Sequence, residues 1–258
     1  MIAFGSKVAV LASFPKSGRT WLRFMLAEYI NRAFDIGDTI DLRTVYRFVP
    51  SLAGGEETGI GAHLRYEGRF PLVMCTHAPY GDWLGKRPVI FVKRDLGDTL
   101  VSYYHRLHNA DGAQRFYGNM SEFILHFPWP SAATFYNSWA EHIATSPGAL
   151  VTSYEAMHAD PGHALATVLR TLRIEPVPTI VAEAVTSSTF AAMQASEAGQ
   201  PEPGYVGGYD LATPNARHVR AGKIGAGAEE LSDDDRDGIS LACDTHFTPA
   251  ARALLGTS

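Results

Sequence analysis

The amino-acid sequence predicts an α/β protein with a central parallel sheet of four to five strands and helices on both of its faces. Short, largely apolar segments alternate along the chain with segments whose apolar residues fall at helical spacing. This alternation is typical of a parallel sheet covered by helices. The 258 residues contain no internal repeat, low-complexity tract or clear linker. We therefore expect one domain that spans residues 1–258.

The predicted elements follow one another in a regular order. Four apolar segments have the composition of buried strands: 7–13, 71–77, 87–94 and 149–155. A helix is expected directly after the first strand, from Thr20 onward, and another after the third strand, with Asp95 as its N-cap. Three further segments are expected to be mostly helical: 38–49, 120–127 and 132–145. The segment 199–216 is rich in glycine and proline and is predicted to be a mobile lid.

Composition and charge exclude several classes of protein. With 46% hydrophobic and 19% charged residues, the chain has enough apolar side chains for a substantial core. The net charge of −5 argues against general binding to nucleic acid or to an anionic membrane surface. Cys75 and Cys243 form no C-x-x-C motif, and the apolar run 8–12 is too short for a signal peptide or a membrane span. We therefore expect a cytoplasmic protein without a metal site.

The loop after the first strand has the features of an anion site. Residues 14–20 have the sequence FPKSGRT, in which Lys16 precedes the only glycine. The phosphate loop of nucleotide hydrolases has the order G-x-x-x-x-G-K-[ST] instead. Backbone N–H groups at the start of the next helix would attract an anion, and the lysine adds a mobile positive charge. The alternative is a plain turn with a surface lysine.

Three later segments also carry residues suited to binding or catalysis. Arg94 ends the third strand and Ser102 lies two turns further, where both can reach a phosphate; alternatively, Arg94 pairs with Asp98 in a capped helix. The segment 217–227 has three basic residues and three glycines, which suit an anion nest or a flexible surface loop. His77 lies at the carboxyl end of the second strand. It is either a base that takes the proton of a hydroxyl or a structural histidine.

These four segments, in this order, resemble those of the sulfotransferases that use 3′-phosphoadenosine 5′-phosphosulfate (PAPS). SFPKSGRTW resembles the family's 5′-phosphosulfate loop, Y-P-K-[SA]-G-T-T-W, and VIFVKRDLGDTLVSYYHR its 3′-phosphate motif. RAGKIGAGAEELS is similar to the late R-K-G-x-x-G-D-W-K loop, and CTHAP to the K-T-H-x-P segment. The resemblance extends from Ser13 to about Ser232. It implies a P-loop-like fold and transfer of a sulfuryl group from PAPS to a hydroxyl of a small molecule, without a metal.

The resemblance also implies roles for individual residues. Lys16 would stabilise the leaving nucleotide, 3′-phosphoadenosine 5′-phosphate (PAP), and His77 would be the general base. The 5′-phosphosulfate would be held by Lys16, Ser17, Gly18, Arg19 and Thr20. The 3′-phosphate would be bound by Arg94, Ser102, Arg220, Ala221 and Gly222. The adenine would contact Trp21, Tyr154, Ser188 and Phe190.

The chain departs from the family pattern at several positions. Arg19 replaces a threonine and adds charge beside the phosphosulfate site. Cys75 and Ala221 stand where the family has lysines, so stabilisation of the leaving group is expected to rest on the basic residues of the first loop. Ala226 and Gly227 replace Asp-Trp, which predicts a less firmly anchored loop. The short carboxyl-terminal dimer motif of the animal cytosolic enzymes is missing, so no dimer of that type is expected.

Two other functions stay open at this point. One is a P-loop kinase of a nucleoside or small metabolite, which would also need a phosphate loop. Against it, the sequence lacks the glycine-to-lysine spacing of that loop, and no acidic residue at a strand end clearly offers a ligand for Mg²⁺. A non-catalytic protein that binds PAPS or PAP would keep the loops without the activity. The acceptor is not identified by any motif. Aromatic candidates for its pocket are Tyr46, Phe48, Tyr80, Trp83, Phe116, Tyr117 and Trp129.

Overall fold

The fold is that of a computed structural model, which describes residues 8–42, 44–52, 69–85, 87–110, 114–198 and 222–257. The lid predicted at 199–216 lies outside these residues, as do Arg220 and Ala221. Among the described helices, none has both the length and the apolar character needed to cross a bilayer.

Four parallel strands form the sheet: β1 (Val8–Ser13), β2 (Leu72–Thr76), β3 (Val89–Lys93) and β4 (Leu150–Ser153). Their order is β2-β1-β3-β4, so β1 and β3 are central. Ala12 of β1 pairs with Thr76 of β2 and with Phe91 of β3, which aligns the carboxyl ends of the three strands. The α/β class and the parallel sheet are therefore confirmed, and each strand lies within the segment predicted for it.

The helices occupy most of the remaining described chain. They are α1 (Arg19–Ala33), α2 (Val45–Phe48), α3 (Leu96–His108), α4 (Met120–Leu125), α5 (Trp129–Thr145), α6 (Tyr154–Ala159), α7 (Pro161–Thr171), α8 (Pro178–Ser187), α9 (Phe190–Ala198), α10 (Ala226–Glu230), α11 (Asp233–His246) and α12 (Pro249–Leu255). As predicted, Asp95 is the N-cap of α3, and its side chain accepts a hydrogen bond from the backbone N–H of Asp98.

The helix predicted at 38–49 is reduced to the single turn of α2. The Asp41 carboxylate accepts a hydrogen bond from the backbone N–H of Thr44, and the Thr44 hydroxyl accepts one from the backbone N–H of Asp41, both at 2.8 Å. Such local bonds from side chains to the backbone compete with the helical pattern. The prediction was wrong for residues 38–42 and 44 because periodicity does not register this competition.

Helices cover both faces of the sheet, as predicted. Alternate residues of a strand point to opposite faces. Accordingly, Ala9 and Leu11 of β1 belong to the core on the side of α1, whereas Val10 and Ala12 belong to the core on the side of α3 and α5. All four side chains are fully buried. The sheet is therefore a rigid interior layer, and the chain segments that leave its carboxyl edge are held from both sides.

Asp98 anchors the late loop to the start of α3. Its carboxylate oxygens accept hydrogen bonds from the backbone N–H groups of Gly225, at 2.9 Å, and of Gly227, at 2.7 Å. The expectation of a weakly anchored loop does not hold for these residues. Backbone hydrogen bonds to a buried carboxylate supply the anchoring that the side chains at positions 226 and 227 lack.

Gly227→Ala is expected to destabilise the protein by about 1–3 kcal/mol, because a new Cβ would overlap packed backbone. That Cβ would lie 2.9 Å from the backbone nitrogen of Asp98 and 2.9 Å from the carbonyl carbon of Gly97. The free energy of unfolding in urea measures the effect. Gly148→Ala is the matched control, since no atom lies within 4 Å of the added Cβ there. Equal stabilities of the two variants would contradict the packing described for α10 against α3.

Candidate active site

A cavity of about 390 Å³ opens at the carboxyl edge of the sheet. Each of the four strands leads directly into its wall: β1 into the loop 14–18, β2 into His77, β3 into Arg94 and β4 into Tyr154. In open parallel sheets, ligands bind in the crevice at this edge. The volume lies in the range typical of sites for small organic molecules.

Most of the predicted site residues that the structure describes line this one cavity. They are Lys16, Gly18, Arg19, Thr20, Trp21, His77, Arg94, Ser102, Tyr154, Phe190 and Gly222. Ser17 and Ser188 are buried and do not line it. Residues separated by up to about two hundred positions in the sequence therefore meet at one place.

The loop after β1 approaches the cavity in a backbone conformation that ordinary side chains disfavour. Lys16 has φ 68° and Gly18 has φ 93°, both in the left-handed region. Gly18 is also the N-cap of α1, so no capping side chain stands between the helix N-terminus and the cavity. A Cβ at Gly18 would lie 2.5 Å from Cδ2 of Tyr154. Only glycine permits this contact, which brings the aromatic ring against the start of the helix.

Arg94 joins the first loop, the late loop and the aromatic wall. Its guanidinium donates hydrogen bonds to the carbonyl oxygens of Lys16, at 3.3 Å, and of Lys223, at 2.7 Å. It also pairs with Asp98 at 3.5 Å and lies over the ring of Tyr154, 4.4 Å from its centroid. The ion pair considered as an alternative is thus present within the cavity wall, together with the other contacts. None of these contacts involves Nε of Arg94, which is buried without a hydrogen-bond partner.

Among the described residues predicted to contact the 3′-phosphate or the adenine, two further buried polar atoms have no hydrogen-bond partner, namely Nε1 of Trp21 and Oγ of Ser188. Buried polar groups are normally paired in folded proteins. Three such atoms, counting Nε of Arg94, within or beside one cavity wall fit a polar ligand with several hydrogen-bonding groups. The predicted nucleotide has such groups on its base, its ribose and its phosphates.

Aromatic side chains form the far wall. The ring of Trp21 meets that of Tyr154 edge to face, with the centroids 5.9 Å apart. Phe190 lies against Gly222, where an added Cβ would come within 2.6 Å of its ring. Gly222 has φ 60°, so both its conformation and its lack of a side chain are needed there. A flat, partly apolar ligand such as a nucleobase suits this wall.

The hydrogen bond of His77 determines which nitrogen of its neutral ring carries the proton. Nδ1 lies 2.6 Å from the carbonyl oxygen of Ser13. A carbonyl oxygen only accepts, so Nδ1 carries the hydrogen and Nε2 of the neutral ring has a free lone pair. The residue His77 is open to the cavity, but its ring is largely surrounded by protein. This desolvation, together with the positive charge of Arg19 and smaller contributions from Arg23 and Lys16, lowers the pKa of His77 to about 3. The hydrogen bond to Ser13 opposes this shift. The imidazole of His77 is therefore neutral at physiological pH.

The lowered pKa of His77 predicts an imidazole that stays neutral well below pH 6.5 in the ligand-free protein. Binding of PAP is expected to raise that pKa, because the phosphates offset the nearby positive charges. NMR titration of the imidazole, assigned by comparison with His77→Asn, measures both effects. A midpoint near 6.5 without ligand would contradict this electrostatic description. Unfolding restores the ordinary pKa, so protonation of His77 favours the unfolded chain as the pH falls from 6.5 towards 3.

Several cavity residues were not identified from the sequence. Arg23 and His158 line the cavity, and of these two only Arg23 had a recognisable signal. It is a charged residue within the apolar helical pattern of α1, four positions after Arg19 and so on the same helix face. Of the aromatic candidates for the acceptor pocket, Tyr46 lines the cavity, Phe48 and Trp129 are core residues and Tyr117 is exposed.

Comparisons with known proteins point to a single group of enzymes. The family model described as "Sulfotransferase domain" matches residues 7–244. Sulfotransferase 1 family member D1 of Rattus norvegicus is 24% identical over 203 residues, which cover 72% of this chain and 66% of the relative. Sulfotransferase 1E1 of Cavia porcellus is 26% identical over 200 residues, which cover 72% of this chain and 65% of the relative. The matches thus span just under two thirds of the length of these relatives.

Solved structures share the fold. Mouse sulfotransferase SULT7A1, crystallised with PAP, superposes with a TM-score of 0.66 at 19% identity, over 98% of this chain and 90% of that one. Retinol dehydratase, crystallised with androsterone and the inactive cofactor PAP, superposes with a TM-score of 0.61 at 14% identity, over 93% and 80% of the two chains.

Proposed function

Because the chain belongs to the family defined by the sulfotransferase domain, we propose that it transfers a sulfuryl group from PAPS to a hydroxyl group of a small molecule. One observation carries this proposal. A neutral histidine with a free Nε2 opens onto the same cavity as a helix N-terminus and the basic side chains Lys16, Arg19 and Arg94. The cavity thus combines groups that can hold an anionic donor with a base that can take the proton of an acceptor.

The donor would lie along the side of the cavity formed by β1, β3 and β4. Lys16, the buried Ser17 and the residues from Gly18 to Thr20 would hold the 5′-phosphosulfate at the start of α1. Arg94 and Ser102 would bind the 3′-phosphate, with Arg220, Ala221 and Gly222 completing the site from the late loop. Trp21, Tyr154, Ser188 and Phe190 would contact the adenine. The unpartnered polar atoms of Arg94, Trp21 and Ser188 support this assignment.

His77 would act as the general base. PAPS supplies a sulfuryl group on a phosphate leaving group. As the acceptor oxygen bonds to sulfur and the bond from sulfur to the bridging oxygen breaks, Nε2 of His77 takes the hydroxyl proton. Lys16 and the backbone N–H groups of its loop would stabilise the negative charge that develops on the departing phosphate. Positioning and charge stabilisation suffice for such a transfer, so we assign no role to a metal.

Calorimetry distinguishes this proposal from the alternative of a P-loop kinase. We expect PAP to bind more tightly than adenosine 5′-monophosphate (AMP), which lacks the 3′-phosphate, because Arg94 and Ser102 have no partner phosphate in AMP. ATP with Mg²⁺ is expected to bind weakly. Tight binding of ATP with Mg²⁺ and none of PAP would refute the proposed donor.

A further inference from the structure

Arg23 is a buried cation in the cavity wall without a carboxylate partner among the described residues. Only 2% of its surface is exposed. Its Nε donates to Sγ of Cys75 at 3.4 Å, and its guanidinium lies 4.4 Å from the ring centroid of Tyr46. Its Nη2 is buried without a hydrogen-bond partner. A buried guanidinium with an unused donor is costly unless a ligand completes its hydrogen bonds.

Arg23 contacts other elements than most of the residues proposed to bind the 3′-phosphate and the adenine. Of those residues, Arg94 and Ser102 follow β3 and Tyr154 follows β4. The partners of Arg23 are Cys75, which belongs to the edge strand β2, and Tyr46 of α2. His77 follows the same strand, and the charge of Arg23 contributes to lowering its pKa. Arg23 therefore lies on the side of the cavity where an acceptor would present its hydroxyl to His77.

We propose that Arg23 determines acceptor specificity by binding an anionic oxygen group that the acceptor carries in addition to its reacting hydroxyl. The planar guanidinium with a free Nη2–H suits a carboxylate best, because guanidinium and carboxylate match in geometry and charge. The acceptors are then hydroxy acids, with the hydroxyl at His77 and the carboxylate at Arg23. This inference rests on the proposed function, since it assigns the acceptor end of the same cavity.

The test compares acceptors that differ only in this charge. The probes are 3- and 4-hydroxybenzoate and their methyl esters, each titrated into the PAP-bound protein by calorimetry. Wild-type protein is expected to bind one or both acids about 10- to 100-fold more tightly than the matching ester, the range expected for a hydrogen bond between charged groups. Arg23→Met is expected to abolish this preference and to keep the affinity for PAP. Arg170→Met, on the exposed surface of α7, is the control and should keep the preference.

The remaining outcomes overturn the inference. These are equal binding of acid and ester by the wild-type protein, no binding of either probe, or a preference that survives in Arg23→Met. An Arg23→Met enzyme that transfers more slowly to acids and esters alike, with unchanged acceptor binding, would place Arg23 on the sulfuryl group instead. Should Arg23→Met not fold, Arg23→Lys keeps the charge but loses the planar fork. It should retain only part of the preference, and an undiminished preference would overturn the inference.

The binding measurement needs no turnover, so the two proposals fail in different ways. Transfer to esters and acids at equal rates would keep the sulfotransferase assignment and remove the role of Arg23. An acid preference that depends on Arg23, in a protein that transfers nothing from PAPS, would keep the anion site and refute the assigned reaction.

Discussion

Replacement of His77 by alanine is expected to lower kcat for sulfuryl transfer by about 10²–10⁴-fold, the contribution of a well-placed general base. The affinity for PAP should stay unchanged, because the ring donates its hydrogen bond to the carbonyl of Ser13 and, being neutral, forms no ion pair with the phosphates of the nucleotide. Initial rates with saturating PAPS, together with calorimetry of PAP binding, measure the two effects separately.

Two further variants separate the base from a structural role. His77→Asn keeps a donor for the carbonyl of Ser13 and lacks the base, so it should be as inactive as His77→Ala. His163→Ala removes an exposed histidine of α7 and should be fully active. Equal losses of activity and of PAP affinity in His77→Ala would assign His77 to the structure of the site and not to catalysis.

Arg94→Gln is expected to weaken PAP binding about 100-fold, or by about 2.8 kcal/mol, the loss of charge-assisted hydrogen bonds at a buried site. Two effects contribute. The 3′-phosphate loses a cationic partner, and the carbonyl oxygens of Lys16 and Lys223 lose the donor that joins their two loops. Asp98 also loses its buried counter-ion but keeps the hydrogen bonds from Gly225 and Gly227.

The comparison of PAP with AMP separates these effects. If Arg94 binds the 3′-phosphate, Arg94→Gln should lower the affinity for PAP far more than that for AMP, and the preference for PAP should disappear. A parallel loss for both nucleotides would mean that Arg94 acts only by holding the two loops. Arg170→Gln serves as the control for removal of an arginine charge and should bind both nucleotides like the wild-type protein.

The sheet, and the meeting of most candidate site residues at one cavity, were predictable because their signals are local. A buried parallel strand has a continuous apolar sequence, and the segments after β1, β2, β3 and β4 carry the polar residues that meet at one edge. The cap formed by Asp95 is likewise visible within a few residues of sequence. Parallel topology then brings Lys16, His77 and Arg94 together without any further information.

The features that escaped prediction depend on contacts between distant segments. Arg23 looks like one charged residue in an otherwise apolar helical pattern, and its burial against Cys75, 52 positions later, follows only from tertiary packing. The anchoring of Gly225 and Gly227 by Asp98 spans more than a hundred residues in the same way. Periodicity describes which face of an element is apolar, but it does not say which side chain of another element lies opposite.

The left-handed backbone of Lys16 is also invisible to sequence reasoning. A lysine disfavours φ 68°, and the conformation persists because the strand before it and the helix after it constrain both ends of a short loop. Arg94 adds a hydrogen bond to its carbonyl oxygen. The strained residue, Lys16, is the one to which we assign stabilisation of the leaving group.

Transfer of labelled sulfate from PAPS is the measurement that tests the proposed reaction most directly. The protein is incubated with sulfur-labelled PAPS and a panel of phenols, alcohols, sugars and hydroxy acids, and both labelled product and PAP are quantified. We expect label in at least one acceptor, PAP in equal amount, and loss of both in His77→Ala. Binding of PAP with no label in any acceptor would contradict the account and support a non-catalytic nucleotide-binding protein.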